Sequence, residues 1–386
     1  MLPRLRIGLG ARAGLPAAVL VAWLLASVAV PARADDAAAP ASTPQAAIDC
    51  QPGGPCSAPV EVRVVVVTMF EIGADEGDAP GEFQLWKERS GLDVRYPFPQ
   101  GHHDLWYNPR TKVLGMVTGI GTLHSATNVM ALGLDQRFDF TRAYWLVAGI
   151  AGIDPEDASI GSAVWSAHLV DADLAHEIDA REKPADWPTG YFARRTSGPY
   201  AQPRPESEGE VYVTNIGLMK WAYDLTKDIA LPDVPGLAEA RAQYVGFPNA
   251  QRPPFVLEGG HLAGMTYWHG AILNEWANRW VEYWTDGAAD YVTSAMEETG
   301  SFQAIEYLDR IGRVDRDRFM VLRAGSNYTM PPQGLTAAEN LLLERKGYTG
   351  MQGALESLHL VGTRVIDALL ADWETTREQI PGTPPG

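Results

Sequence analysis

The stretch VLGMVTGIGTLHSATNVMALGL, residues 113–134, indicates the fold class. Its apolar start, residues 113–118, has the composition of a strand that is buried on both faces, and Gly119-Ile120-Gly121 predicts a turn after it. Thr122 is the predicted N-cap of the helix that follows. The apolar residues of this helix recur at the spacing of one face: Leu123, Ala126, Met130 and Leu134. A strand, a glycine turn and a helix in this order predict an α/β fold.

The same alternation extends over most of the chain. Further strands are predicted at residues 62–68, 143–148, 162–170, 290–295 and 319–324. Helices are predicted at residues 216–229, 272–283, 298–308 and 352–376. Because strands alternate with helices, we expect a mixed, largely parallel central sheet.

The first 34 residues have the order of a secretory signal peptide. Three arginines precede an apolar run at residues 15–30, and Ala32-Arg33-Ala34 is a typical cleavage pattern. The alternative is an uncleaved membrane anchor, for which this apolar run is short. A cleaved signal peptide predicts a periplasmic or secreted protein.

The remaining segments differ in composition. Residues 35–59 are rich in Ala, Pro and Gly, which predicts a disordered leader. This leader holds Cys50 and Cys56, and whether they form a disulfide stays open. The folded domain is predicted at residues 60–378, with a surface insertion around 172–209 and a short tail at 379–386.

Composition and charge exclude several classes of protein. Of the 386 residues, 46% are hydrophobic and 20% are charged, which excludes a chain that is disordered throughout. Beyond residues 1–34 no apolar run is long enough to span a bilayer, so we expect no membrane span after signal cleavage. The formal net charge is −17, and such a surface repels the nucleic-acid backbone. Nucleic acid is therefore not expected as a partner.

Ligand-binding residues are expected beyond the carboxyl ends of the strands, where α/β sheets bind their ligands. Glu71 follows the first predicted strand, and Gly121 and Gly149 follow the next two. Glu297 and Asn327 follow the last two. Structural alternatives exist, since glycines also make tight turns and an acidic residue suits the first turn of a helix.

Four short motifs occur in one order along the chain: residues 118–122 (TGIGT), 144–152 (YWLVAGIAG), 295–300 (AMEETG) and 321–327 (VLRAGSN). Together they resemble the nucleoside phosphorylase superfamily, and more closely the purine nucleoside permease family. The resemblance covers roughly residues 62–370. It implies a three-layer αβα nucleoside phosphorylase-like fold with a mixed, largely parallel central sheet.

The resemblance assigns roles to individual positions. Glu297 would accept hydrogen bonds from the ribose 2′- and 3′-hydroxyls, and Met296 would line the sugar. Tyr267 falls where relatives stack an aromatic ring on the purine, and Asn327 falls where they hold its N7. The full set of implied substrate-binding positions is Gly121, Gly149, Tyr267, Met296, Glu297 and Asn327.

Two positions are implied for catalysis. Glu71 is the candidate for the first-loop glutamate with which hydrolytic relatives activate water. Asn327 stands where many relatives carry the Asp that protonates the leaving base, and an amide cannot donate such a proton. Val147 and Ile150 stand where phosphorolytic relatives of the bacterial type bind phosphate with Arg and Ser. Phosphorolysis is therefore the least favoured activity.

Two function classes stay open from the sequence. The first is a purine-nucleoside-binding protein that supports nucleoside uptake, and the second is a purine nucleosidase that releases base and ribose. The resemblance implies purine nucleosides as ligands and leaves a homo-oligomer open. Neither a cofactor nor a metal is expected, because the sequence GHHD at residues 101–104 more simply forms a polar loop.

Overall fold

A computed structural model describes residues 58–344 and 347–384 of the chain. The predicted signal peptide, both cysteines and all of the leader except its last two residues lie outside the described residues. Within the described ranges, no helix combines the length and the hydropathy that crossing a bilayer requires.

Sixteen strands occur in the described residues. They are β1 (Val60–Glu61), β2 (Val64–Thr68), β3 (Val94–Tyr96), β4 (Leu105–Asn108), β5 (Val113–Val117), β6 (Phe138–Asp139), β7 (Tyr144–Ile153), β8 (Ala163–Ser166), β9 (His168–Asp171), β10 (Ala175–Glu177), β11 (Tyr191–Ala193), β12 (Val211–Val213), β13 (Val256–Glu258), β14 (Gly260–Ala263), β15 (Tyr291–Ala295) and β16 (Phe319–Tyr328).

Nine α-helices occur in the same part of the chain. They are α1 (Gln84–Arg89), α2 (Thr122–Gly133), α3 (Ile216–Thr226), α4 (Leu237–Ala242), α5 (Ala271–Thr285), α6 (Glu298–Arg310), α7 (Ala337–Glu344), α8 (Met351–Ala371) and α9 (Trp373–Thr376).

Twelve of the strands form one mixed sheet. Nine of them follow the order β12-β9-β14-β15-β7-β2-β5-β4-β3, while β16 pairs with β7 and β8, and β8 pairs with β13. The centre of the sheet, β5-β2-β7-β16, is parallel throughout. One edge, β5-β4-β3, is antiparallel. The parallel centre aligns the carboxyl ends of its strands at one edge of the sheet.

Helices cover both faces of this sheet. Successive residues of a strand point to opposite faces, and β2 is apolar on both. Val64 and Val66 pack in a cluster with residues of α8, whereas Val65 and Val67 pack in a cluster with residues of α2 and α6. The molecule therefore has three layers, which confirms the predicted α/β fold with a mixed central sheet.

Two central strands are longer than the sequence predicts. The predicted ends are residues 148 and 324, but β7 runs to Ile153 and β16 runs to Tyr328. The two strands pair in parallel over nearly their whole length, with Phe319 opposite Trp145 at one end. The GIAG sequence at 149–152 is therefore part of a strand rather than a turn.

Other elements differ from prediction in their bounds. Residues 162–170 form two strands, β8 and β9, because the two halves pair with different neighbours. The helix predicted at 352–376 is divided into α8 and α9. The N-cap of α2 is Gly121 rather than Thr122, whose hydroxyl donates a hydrogen bond to the Met296 carbonyl oxygen (2.7 Å).

The predicted insertion at residues 172–209 contains one small antiparallel pair of strands, β10 and β11. No helix occurs within these residues, all of which are described. Arg194 Nη2 donates to the buried Glu210 Oε1 (2.7 Å), and this contact ties the end of the insertion to the residue that precedes β12.

Candidate functional site

A cavity of about 280 Å³ lies where the carboxyl ends of β2 and β15 meet the second halves of β7 and β16. Most of its wall is apolar, including Met296. Its main polar and aromatic groups are Glu82, Tyr267, Glu297, Arg323, Asn327 and Tyr348. Four predicted site residues therefore meet in one cavity, namely Tyr267, Met296, Glu297 and Asn327.

Glu297 occupies the N-cap position of α6, but its side chain does not cap the helix. Its Oε1 accepts a hydrogen bond from the Gly121 backbone N–H (2.8 Å), and its Oε2 accepts one from Arg323 Nη2 (2.8 Å). Only 4% of the residue is exposed. The carboxylate is thus held at the cavity wall, and Gly121, which was predicted to touch substrate, instead orients Glu297.

Arg323 is the centre of a buried cluster of charges. Its Nε donates to Glu298 and its Nη2 to Glu297, while its Nη1 lies 3.9 Å from Glu82 Oε1. Glu298 Oε2 in turn lies 2.7 Å from His261 Nε2. Burial raises the pKa of Glu298, but the charges of Arg323 and His261 outweigh it, so this pKa lies below its usual value. Glu298 is therefore ionised, and the positive charge of Arg323 is largely balanced inside the protein.

Glu82 is a second buried carboxylate at the cavity wall. Its Oε1 accepts a hydrogen bond from the Ile150 N–H (2.7 Å), and its Oε2 accepts one from the Met69 N–H (2.8 Å). Burial and, to a smaller extent, the charge of Glu297 raise the pKa of Glu82 to about 8, although the charge of Arg323 lowers it. Each oxygen retains one acceptor position, because a carboxylate oxygen can accept two hydrogen bonds. A carboxylate with this pKa and free acceptor positions can take a proton from water.

Glu71, the predicted water-activating base, does not line this cavity. Its carboxylate instead stabilises the conformation of the loop that follows β2. Oε1 and Oε2 each accept two hydrogen bonds, from the backbone N–H groups of Ile72, Gly81, Phe83 and Gln84. These four donors fill its acceptor positions. The prediction that Glu71 is the water-activating base is therefore wrong. Another carboxylate of the same loop, Glu82, lines the cavity.

Gly149 also lies outside the cavity wall. A Cβ atom at this position would overlap with Met69 and with the side chains of Arg323 and Glu82. Gly149 thus provides the space that these two charged groups occupy, rather than a contact to substrate. Its neighbour Ile150 donates its N–H to Glu82, and its carbonyl oxygen accepts from Arg323 Nη1 (2.8 Å).

The opposite end of the cavity carries a chain of hydrogen bonds. Asn327 Nδ2 donates to the Tyr267 hydroxyl (2.9 Å), which donates to Glu344 Oε2 (3.0 Å). The Tyr267 ring is nearly parallel to that of Tyr348, at an angle of 13° and a centroid distance of 6.2 Å. Asn327 Oδ1 accepts from the Ser326 hydroxyl (3.0 Å). The structure thus brings Tyr267 and Asn327 into direct contact.

Sequence reasoning misses four residues of the site, namely Glu82, Arg323, Glu344 and Tyr348, and nothing in the sequence indicates Tyr348. Glu82 lies in the same loop as Glu71, but the sequence does not indicate which of the loop's acids faces inward. Arg323 interrupts an apolar strand within the fourth motif, which is a signal for a buried charge that needs partners. Nothing in the sequence indicates Glu344, because only the fold brings α7 close to Tyr267.

The comparison with known protein families covers most of the chain. The family described as purine nucleoside permease matches residues 61–381. The chain belongs to the purine nucleoside permease family. This result confirms the family that the four motifs predict.

Two relatives of this chain are named as purine nucleoside permeases. A protein named as a purine nucleoside permease from Schizosaccharomyces pombe is 28% identical over 81% of this chain and 90% of its own length. A purine nucleoside permease of Candida albicans is 27% identical over 82% of this chain and 77% of its own length.

Two of the solved structures that are similar to this chain are the following. The futalosine hydrolase of Helicobacter pylori matches with a TM-score of 0.48 and 15% identity, over 80% of this chain and 99% of its own. A 5′-methylthioadenosine/S-adenosylhomocysteine nucleosidase from Neisseria meningitidis matches with a TM-score of 0.46 and 13% identity, over 80% of this chain and 100% of its own.

Proposed function

We propose that this protein binds purine nucleosides in the cavity and hydrolyses their N-glycosidic bond. The observation that carries the proposal is the presence of two buried carboxylates, Glu82 and Glu297, on the wall of one cavity. Glu297 accepts hydrogen bonds from the ribose hydroxyls, because an ionised carboxylate accepts hydrogen bonds strongly and donates none. Tyr348 stacks on the flat purine, and Asn327 and the Tyr267 hydroxyl lie together at its edge.

The chemical step follows from the free acceptor positions of Glu82. Its carboxylate takes a proton from a water molecule, and the water oxygen forms a bond to C1′ of the ribose. The bond between C1′ and the purine nitrogen breaks, and the electron pair leaves with the purine, which gains a proton. The products are free ribose and free base. A positioned general base contributes about 10²–10⁴-fold to such a rate.

Phosphate is a poor nucleophile for this cavity. Among the described residues that line it, Arg323 is the only cation, and it already contacts Glu297, Glu298 and Glu82. A phosphate dianion would meet these carboxylates without a free positive partner, which makes its desolvation costly. The apolar side chains of Val147 and Ile150 offer no donor. Hydrolysis is therefore favoured over phosphorolysis.

Binding without turnover is the second candidate function. Asn327 favours it, because an amide cannot protonate the leaving purine directly. In this case the protein would act as a nucleoside receptor that supports uptake, in line with the family name. The predicted signal peptide at residues 1–34 would place either function in the periplasm or outside the cell.

One experiment separates these functions. The protein is incubated with inosine, guanosine and adenosine, each with and without millimolar phosphate, and the sugar product is identified. Release of free ribose at a rate that phosphate does not change supports hydrolysis. Ribose 1-phosphate that forms only with phosphate contradicts it. Saturable binding without any product supports the receptor function.

A further inference from the structure

Asn327 leaves the proposed hydrolysis without an obvious source for the proton that the departing purine needs. Its amide holds no acidic proton, and its Nδ2 already donates to the Tyr267 hydroxyl (2.9 Å) and the Tyr328 carbonyl oxygen (3.3 Å). Among the described contacts of the Asn327 side chain, only the Tyr267 hydroxyl also contacts a carboxyl group from which it can regain a proton. That hydroxyl contacts Glu344 Oε2 at 3.0 Å.

We infer that Glu344 supplies the proton for the leaving purine through the Tyr267 hydroxyl. This inference rests on the proposed hydrolysis. As the bond from C1′ to the purine breaks, the Tyr267 hydroxyl gives its proton to the purine nitrogen that faces Asn327. Tyr267 takes the proton of the Glu344 carboxyl group in the same step. Glu82 gains one proton from water and Glu344 loses one, so the protons of the reaction balance.

The hydrogen-bonding capacity of Tyr267 fits this role. When Glu344 is protonated, the hydrogen bond between the two residues reverses, and the Tyr267 oxygen then accepts from both Asn327 Nδ2 and the Glu344 carboxyl group. The hydroxyl proton is then free to point towards the bound purine. Asn327 therefore positions Tyr267, and Glu344 acts through Tyr267 without touching the substrate.

The position of Glu344 allows it to exchange protons with solvent. It is the last residue of α7 and is only partly buried, so water can restore its proton after each turnover. The N-terminal end of α7 is stabilised by its own hydrogen bonds. There the Thr336 N–H donates to Glu339 Oε2 (2.9 Å), and the Glu339 N–H donates to Thr336 Oγ1 (3.2 Å).

Among the described residues, the titratable groups that face Glu344 are tyrosines. Tyr267 and Tyr348 lie on its cavity side, and Tyr244 faces it across the space beneath α7. Burial raises the pKa of Glu344 to about 7, although the hydrogen bond from Tyr267 lowers it. Glu344 is thus protonated below pH 7 and loses its proton above it. Arg345 and Lys346 follow in the sequence and lie outside the described residues.

The test compares two leaving groups in the full-length protein. Glu344→Gln and Tyr267→Phe each remove a proton donor and keep the size of the side chain. Both are measured with inosine and with 4-nitrophenyl riboside, whose leaving group departs without a proton. Glu339→Gln, on the same helix and away from the cavity, is the control.

We expect each variant to lower kcat on inosine by about 10²-fold more than it lowers kcat on nitrophenyl riboside. The parent should lose activity on inosine above about pH 7–8, and Glu344→Gln should lack this alkaline decline. An unchanged inosine rate, or an equal loss on both substrates, would overturn the proton route while leaving hydrolysis intact. A parent protein that releases no ribose from any nucleoside would overturn both.

Discussion

Glu71 and Glu82 belong to one loop and have the same side chain, but their environments give them different chemistry. Glu71 accepts four backbone hydrogen bonds, so it has no acceptor position left. Glu82 accepts two and borders the cavity. Under the proposed hydrolysis, the number of remaining acceptor positions, rather than the residue type, separates the structural carboxylate from the base.

The first prediction at this scale concerns Glu82. We expect Glu82→Gln to lower the hydrolysis rate by about 10²–10⁴-fold, because it removes the base and keeps the shape. With 4-nitrophenyl riboside, whose leaving group needs no proton, the rate of the parent should rise with pH up to about 8, since burial raises the pKa of Glu82 to that value and only the ionised form is a base. Glu82→Gln should lose this rise. The control is Glu76→Gln in the same loop, whose side chain is exposed; a similar loss there would contradict the assignment.

A second prediction concerns Glu297. Glu297→Ala should weaken binding of a purine ribonucleoside by about 2–4 kcal/mol, because it removes a charged acceptor from buried hydroxyls and leaves Arg323 with one partner fewer. Calorimetric titration with inosine measures the change. Glu282→Ala, at an exposed position on α5, is the matched control. A dissociation constant within twofold of that of the parent would show that Glu297 does not bind the sugar.

At the scale of elements, the site depends on how β7 and β16 pair. The two strands run parallel past the predicted turn, and this pairing sets Arg323 directly opposite Gly149. The absence of a side chain at 149 lets the guanidinium and the Glu82 carboxylate lie over β7. The glycine-bearing motif of the third predicted strand therefore serves the packing of a charge cluster.

This arrangement predicts that Gly149→Ala is harmful. The added methyl group would push on Arg323, Glu82 and Met69, which cannot all move within a buried cluster. We expect the free energy of unfolding to fall by about 1–3 kcal/mol, as overpacked cores commonly show. Urea denaturation measures this change, and activity should fall with it. An unchanged denaturation midpoint would show that the cluster can relax.

At the scale of the whole molecule, a strongly acidic protein is suited to a neutral ligand. The net charge of −17 opposes phosphate and nucleotides at long range but not nucleosides. This preference agrees with the balanced charge of Arg323 inside the cavity. Charge selection outside and inside the site thus acts in the same direction.

Export is the prediction that concerns the chain as a whole. The order of charged, apolar and small residues at 1–34 predicts that the protein recovered from cells begins at Asp35. Intact mass spectrometry measures this, and replacement of Ala32 and Ala34 by Phe should prevent cleavage. A membrane-bound protein that retains Met1 would instead support the anchor.

The sequence allows much of the fold and part of the site to be predicted. Continuous valines in β2 and helical periodicity in α2 reflect burial, which is a local property of each segment. Strand ends at 148 and 324 were wrong because pairing between β7 and β16, a long-range contact, overrides the turn preference of glycine. Glu297 and Asn327 follow from their motifs. Glu82, by contrast, required knowledge of which loop acid the backbone already binds.

The hydrogen bonds of Glu71 also anchor the inner end of the first loop, whereas its outer part contacts α1 through Glu76, Gly77 and Asp78. Residues 81–84 are fastened to Glu71, and the Glu82 N–H is fastened to the Phe70 carbonyl oxygen (3.0 Å), while residues 76–79 are exposed. Changes in length or sequence within that outer part need not displace Glu82. The outer part of the loop can therefore vary in sequence, or accept a grafted recognition segment, while Glu82 keeps its position.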